Sequence, residues 1–102
     1  MIKLKNYDVD MSMIDPRMWE RVRDIAGVFN QYGLDTIITS GREGRHGAHS
    51  HHYRGRALDF RTFHIPLEST KLKLTSEVQA ALGDDFDVVL EETHLHVEYD
   101  PK

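Results

Sequence analysis

The sequence predicts a single α+β domain with a small, mainly antiparallel β-sheet and two principal helices. Two segments have apolar residues at helical spacing, and each is followed by a glycine suited to end a helix. Four short segments between and after them have the apolar pattern of strands. The chain has 102 residues, of which 39% are hydrophobic, enough for one core, so we expect residues 1–102 to form one domain.

The first helix is predicted to begin at Asp15-Pro16 and to end at Gly33. An aspartate side chain accepts hydrogen bonds from the free amides of a first helical turn, and proline fits the first helical position. The apolar residues at helical spacing in this segment are Trp19, Val22, Ile25, Ala26 and Phe29.

A strand is predicted over residues 34–39, followed by a polar loop that extends from residue 41 to residue 52. A second strand, at residues 57–62, alternates so that Leu58 and Phe60 face the core and Asp59 lies on the other face. A second helix follows Pro66 and ends before Gly83, and its apolar positions are Leu74, Val78, Ala81 and Leu82. Residues 86–90 and 94–99 are predicted to form a hairpin.

Composition limits the chemistry. The chain has no cysteine, so a metal must be bound by nitrogen and oxygen ligands. A formal net charge of −4 argues against general nucleic-acid binding, although residues 42–61 are rich in arginine and histidine. The first residues lack the apolar run of a signal peptide, and no segment has the composition of a membrane span. We therefore expect cytoplasmic synthesis and no nucleic-acid or membrane partner.

The last predicted strand places His94, His96 and Glu98 on one face and Leu95 and Val97 on the other. A His-x-His pair of this kind fits a metal site. It fits an ordinary half-exposed strand at least as well, so this pattern alone does not identify a site.

A second pattern is Ser50-x-His52-x-x-Gly55-x-Ala57-x-Asp59, in which a loop histidine precedes a strand carboxylate. A surface loop entering a strand also explains it. Taken with His96, however, His52 and Asp59 complete a set of two imidazoles and one carboxylate, which leaves a position open for water on zinc. The same set suits non-haem iron(II).

These patterns, together with Ser40-Gly41-Arg42, resemble the three motifs of the zinc D-Ala-D-Ala carboxypeptidase and L-alanyl-D-glutamate endopeptidase family. The fold group of that family includes the lysostaphin-like peptidases and the hedgehog amino-terminal domain. The resemblance covers roughly residues 37–100, and the short length and the run at residues 86–91 are most similar to compact phage-encoded members.

The resemblance implies that His52, Asp59 and His96 bind zinc. It implies that Arg42 contacts the substrate and stabilises negative charge on the attacked carbonyl oxygen, and that Ser50 helps to hold the substrate. A solvated loop charge is the alternative for Arg42. The implied activity is endolysin-like hydrolysis of a peptide or amide bond in peptidoglycan stem peptide, by a carboxypeptidase or an endopeptidase.

One position departs from the family. The general base normally lies three residues before the last histidine ligand, and Thr93 stands there. We favour His94 as the base and place Glu92 second. A shifted register, with His94 as a ligand and Glu91 as the base, is a further alternative. Without a base, the chain is a catalytically inactive zinc-containing module that binds cell-wall peptide or a protein partner. Glu98 is expected to orient a ligand, with a solvated charge as the equal alternative.

Overall fold

The computed structural model describes residues 2–42 and 54–101. The strands form one five-stranded sheet in the order β1-β2-β3-β5-β4. In chain order the elements are β1 (Ile2–Leu4), α1 (Pro16–Trp19), α2 (Val22–Gln31), β2 (Thr36–Ser40), β3 (Ala57–Arg61), α3 (Glu68–Leu82), β4 (Phe86–Leu90) and β5 (His94–Tyr99). The predicted α+β class is confirmed.

The sheet is mixed, which corrects the prediction of a mainly antiparallel sheet. β1 runs parallel to β2, whereas the β2–β3, β3–β5 and β4–β5 pairs are antiparallel. Consecutive strands can be parallel only across a long connection, and here α1 and α2 supply it. The sequence did not indicate β1, because Ile2, Lys3 and Leu4 are all exposed and too few to form a recognisable alternation.

The first predicted helix is two helices, interrupted at residues 20 and 21. The predicted cap is confirmed, because Asp15 Oδ1 accepts a hydrogen bond from the Arg17 amide at 2.9 Å. Trp19 is 52% exposed, contrary to its assignment to the apolar face. The buried series begins one residue earlier, at Met18, and a shift of one residue turns a side chain by about 100° around a helix axis.

The helices pack on one face of the sheet. Strand side chains at Ile38, Leu58, Phe60, Leu95 and Val97 are fully buried there. The helix side chains that are buried in the core are Met18, Val22, Ile25, Val28, Phe29, Leu74, Val78 and Leu82. The predicted inward orientation of Leu58 and Phe60 is therefore confirmed, and the opposite face of β3 and β5 is left for polar side chains.

The second helix and the hairpin occur where the sequence predicts them. α3 ends at Leu82, and Gly83 follows with a φ of 84°. β4 and β5 pair antiparallel, joined by residues 91–93. No helix in the described ranges combines the length and apolar character needed to cross a bilayer.

Candidate metal centre

Pairing of β3 with β5 brings the polar positions of both strands together. Asp59 lies opposite His96, and Arg61 lies opposite His94. Directly opposed residues in an antiparallel pair project their side chains from the same face. Since Leu95 and Val97 are buried against the helices, the predicted alternation of β5 is confirmed.

Asp59 is the centre of this group. It is only 7% exposed, and its two carboxylate oxygens face two histidines. Oδ1 lies 3.0 Å from His96 Nδ1, and Oδ2 lies 3.6 Å from His94 Nε2. Burial of a carboxylate is costly unless it is paired, and these contacts offset part of the cost of burying Asp59.

His96 is held at both ring nitrogens, because its Nε2 lies 2.7 Å from Glu98 Oε1. The hydrogen bond to Asp59 is the main cause that raises the pKa of His96 to about 9; burial opposes this rise, and Glu98 adds to it. In the metal-free protein at neutral pH, the imidazolium therefore donates hydrogen bonds to both carboxylates. Glu98 is thus in contact with His96, contrary to the expectation of a solvated charge.

His94 has a different environment. Its Nδ1 lies 3.1 Å from Thr93 Oγ1, and its Nε2 lies 3.4 Å from Glu91 Oε1. Thr93 thus contacts the histidine favoured as the base. Glu92 is exposed in the turn between β4 and β5, and it makes no hydrogen bond or ion pair with Asp59, His94 or His96 within the described part of the chain.

Arg42 follows β2, whose Ser40 pairs with Asp59. Its backbone amide donates to Asp10 O at 2.9 Å, and its Nη1 donates to Ser12 O at 3.4 Å. Arg42 also contributes to the lowered pKa of Asp10, although the main cause is the hydrogen bond from Ser12. The guanidinium is therefore anchored against the segment that precedes α1.

Ser50 and His52, the other two residues that the resemblance assigns to the site, lie outside the described residues. The small residues of the same motif are described. Gly55 has a φ of 71°, and a Cβ there would collide with the backbone oxygen of Met13. Ala57 is fully buried and lies opposite Glu98. Both positions therefore require small side chains.

The donors in the described part of the centre suit zinc. Asp59 and His96 offer oxygen and nitrogen ligands, which zinc accepts. Glu98 supplies the carboxylate that commonly orients a ligating histidine through its second nitrogen. The sequence-predicted residues brought together are thus Asp59, His94 and His96, whereas Arg42 lies beyond the end of β2 and Glu92 in the exposed turn.

A second acidic group was not predicted. In residues 2–42 and 54–101, the set of three potential ligands whose donor atoms lie within 4.8 Å of one another is Asp87, Glu98 and Asp100. Asp87 lies opposite Glu98 in the β4–β5 pair. Strand alternation could have placed these three residues on one face, but predicting that they lie close together also required the register of the β4–β5 hairpin. Glu98 is shared between this group and His96.

A cavity also lies beside the centre. Its volume is about 260 Å³, and it is lined by Lys5, Thr39, Arg61, Phe63 and Thr93. Sequence reasoning missed it, because these residues come from separate segments of the chain.

Comparison with known proteins adds no assignment, since no protein-family model and no curated protein matches this sequence. The family resemblance therefore depends on the three motifs.

Proposed function

We propose that the chain is a zinc-dependent hydrolase of a peptide or amide bond in peptidoglycan stem peptide, an endolysin-like carboxypeptidase or endopeptidase. The observation that carries the proposal is the pairing of Asp59 with His96, whose far nitrogen is held 2.7 Å from Glu98. His52 enters as the third ligand through the motif resemblance.

When bound, zinc polarises a carbonyl group and lowers the pKa of water enough to generate a nucleophile at neutral pH. The protein's own groups supply the remaining functions. His94 is the proposed base, because its imidazole faces the same side of the sheet as Asp59. Glu91 Oε1 lies 3.4 Å and Asp59 Oδ2 lies 3.6 Å from its Nε2, so two carboxylates flank the ring nitrogen that would accept the proton.

Arg42 is the proposed source of positive charge for the carbonyl oxygen. It follows the strand adjacent to Asp59, and its hydrogen bond to Ser12 limits its motion. A positioned guanidinium stabilises charge that develops on an oxygen during acyl transfer. Ser50 is the proposed substrate contact, from the resemblance.

A second candidate function is a catalytically inactive zinc-containing module that binds cell-wall peptide or a protein partner. Thr93 favours it, because a threonine hydroxyl cannot act as a base at neutral pH. The same hydroxyl lies 3.1 Å from His94 Nδ1. The two candidate functions therefore differ in one respect, which is whether His94 acts as the general base in place of the acidic residue that the family has at position 93.

The test measures metal content and hydrolysis of stem peptides on the same samples of the full chain. We expect one zinc per chain and cleavage of at least one stem-peptide bond. Asp59→Asn and His96→Gln should lose both, whereas His64→Gln, a change at an exposed histidine outside the group, should lose neither. Stoichiometric zinc without cleavage of any stem or cross-bridge peptide contradicts the hydrolase and leaves the binding module. Full zinc content in His96→Gln contradicts the ligand assignment.

A further inference from the structure

The cavity beside the metal centre has two cationic side chains and two hydroxyl groups. Lys5 and Arg61 supply the cations, and Thr39 and Thr93 supply the hydroxyls. Neither cation has an ion-pair partner in the parts of the chain that the structure describes. Two unpaired cations that line one cavity favour an anionic ligand.

The walls of the cavity are in direct contact with the metal centre. Thr39 Oγ1 donates a hydrogen bond to Asp59 O at 3.4 Å, and Thr93 Oγ1 lies 3.1 Å from His94 Nδ1. Arg61 lies opposite His94 in the strand pair. Arg61 is also two positions from Asp59 on β3, which corresponds to about 7 Å along a strand. An extended peptide covers that distance with about two residues.

We infer that this cavity binds a carboxylate of the peptide that lies within about two residues of the bond positioned at Asp59 and His96. The inference takes the peptide substrate from the proposed function. A guanidinium and an ammonium bind a carboxylate through charge-assisted hydrogen bonds, which are stronger than neutral ones. Phe63, a residue that is 75% exposed, adds an apolar wall for the chain that carries the carboxylate.

Two carboxylates of a stem peptide have this chemistry, the one at the carboxyl terminus and the free one of a D-glutamate. Both would pair with the same cations, so the cavity selects for negative charge. Peptides in which each carboxylate is amidated separately distinguish the two sources.

The test measures binding of acetylated L-Ala-D-Glu and acetylated D-Ala-D-Ala peptides to the full chain by NMR titration. It is run with zinc and again after chelation, where turnover cannot interfere. We expect amidation of the recognised carboxylate to weaken binding by about tenfold. Higher ionic strength should reduce the difference.

The variants Lys5→Gln and Arg61→Gln should bind the acid and amide forms almost equally. Lys73→Gln and Arg23→Gln remove the same charges from exposed positions on α3 and α2, and they should keep the full preference. Equal binding of acid and amide by the unmodified chain, a preference that survives in both cavity variants, or no binding of either peptide overturns the inference.

Failure of this inference is distinguishable from failure of the proposed function. If the chain hydrolyses the peptide but shows no carboxylate preference, the proposed hydrolase function stands and the proposed carboxylate site is wrong. If the chain shows a carboxylate preference that depends on Arg61 and Lys5 but hydrolyses no peptide under any condition, the proposed carboxylate site stands and the proposed hydrolase function is wrong.

Discussion

The two faces of β3 and β5 differ completely, although they belong to the same two strands. On one face, Phe60 and Leu95 are opposed in the strand pair and have no exposed surface. On the other, Asp59 and His96 are opposed and hydrogen-bonded to each other. Neighbouring positions on one strand therefore serve different purposes. The apolar face stabilises the fold, and the polar face carries the proposed chemistry. Single substitutions should separate these two contributions.

Among substitutions on the polar face that should leave zinc bound, the largest effect is expected for His94→Gln. If His94 is the general base, kcat should fall by about 10²- to 10⁴-fold, while zinc content and thermal stability change little. Steady-state kinetics and metal analysis measure this, and Glu92→Gln is the matched control. Loss of zinc from His94→Gln would instead indicate the shifted register, in which His94 is a ligand and Glu91 the base.

On the apolar face, Leu95→Ala should lower the free energy of unfolding by about 2 to 5 kcal/mol, because it leaves a cavity in a fully buried core. Urea unfolding of the zinc-free chain measures the change. His94→Gln, at the adjacent position, should cost less than about 1 kcal/mol, as expected away from the core. Similar costs at both positions would contradict the division between the faces.

A smaller effect on the polar face is expected when the pH is changed, because His96 contributes to the stability of the zinc-free chain. Because partners raise the pKa of His96 from 6.5 to about 9, the folded state retains a proton that the unfolded chain loses. This contribution is fully present below pH 6.5, and it is lost as the pH rises through about 9, so the zinc-free chain should become less stable over that interval. The loss should be at most about 3 kcal/mol.

Urea unfolding at several pH values in the presence of a chelator measures this loss. Glu98→Gln removes one of the two partners and should flatten the dependence. A stability that rises between pH 6.5 and pH 9 would show that His96 is not stabilised as an imidazolium.

Local patterns account for the features that the sequence predicted correctly. The Asp15 cap, the helix end at Gly83 and the alternation of β5 each depend on residues close together in the chain. The same alternation placed Asp59, His94 and His96 on a polar face. The distances between these three side chains could not be predicted, because they depend on the register between β3 and β5, which is set by contacts between residues distant in sequence.

Features that depend on distant contacts were missed. β1 pairs with residues of β2 more than thirty positions away, and its three residues are too few for a pattern. The alternation of β3 puts Arg61 on the same face as Asp59, but its position beside Lys5 and Phe63 depends on how β1, β2 and β3 are ordered. For the base, the sequence ranks His94 before Glu92, two residues adjacent to Thr93, and this ranking stays a prediction.

Gly55 has a consequence for the geometry of the proposed metal centre. Its carbonyl oxygen accepts a hydrogen bond from the Asp15 amide at 2.8 Å, and its lack of a side chain permits this close approach. The contact ties the entrance of β3 to the start of the helical layer. A slip of β3 by one residue would exchange its faces, moving Asp59 into the core and Phe60 towards the histidines. The motif glycine therefore protects the alignment of the strand from which the proposed zinc ligand projects.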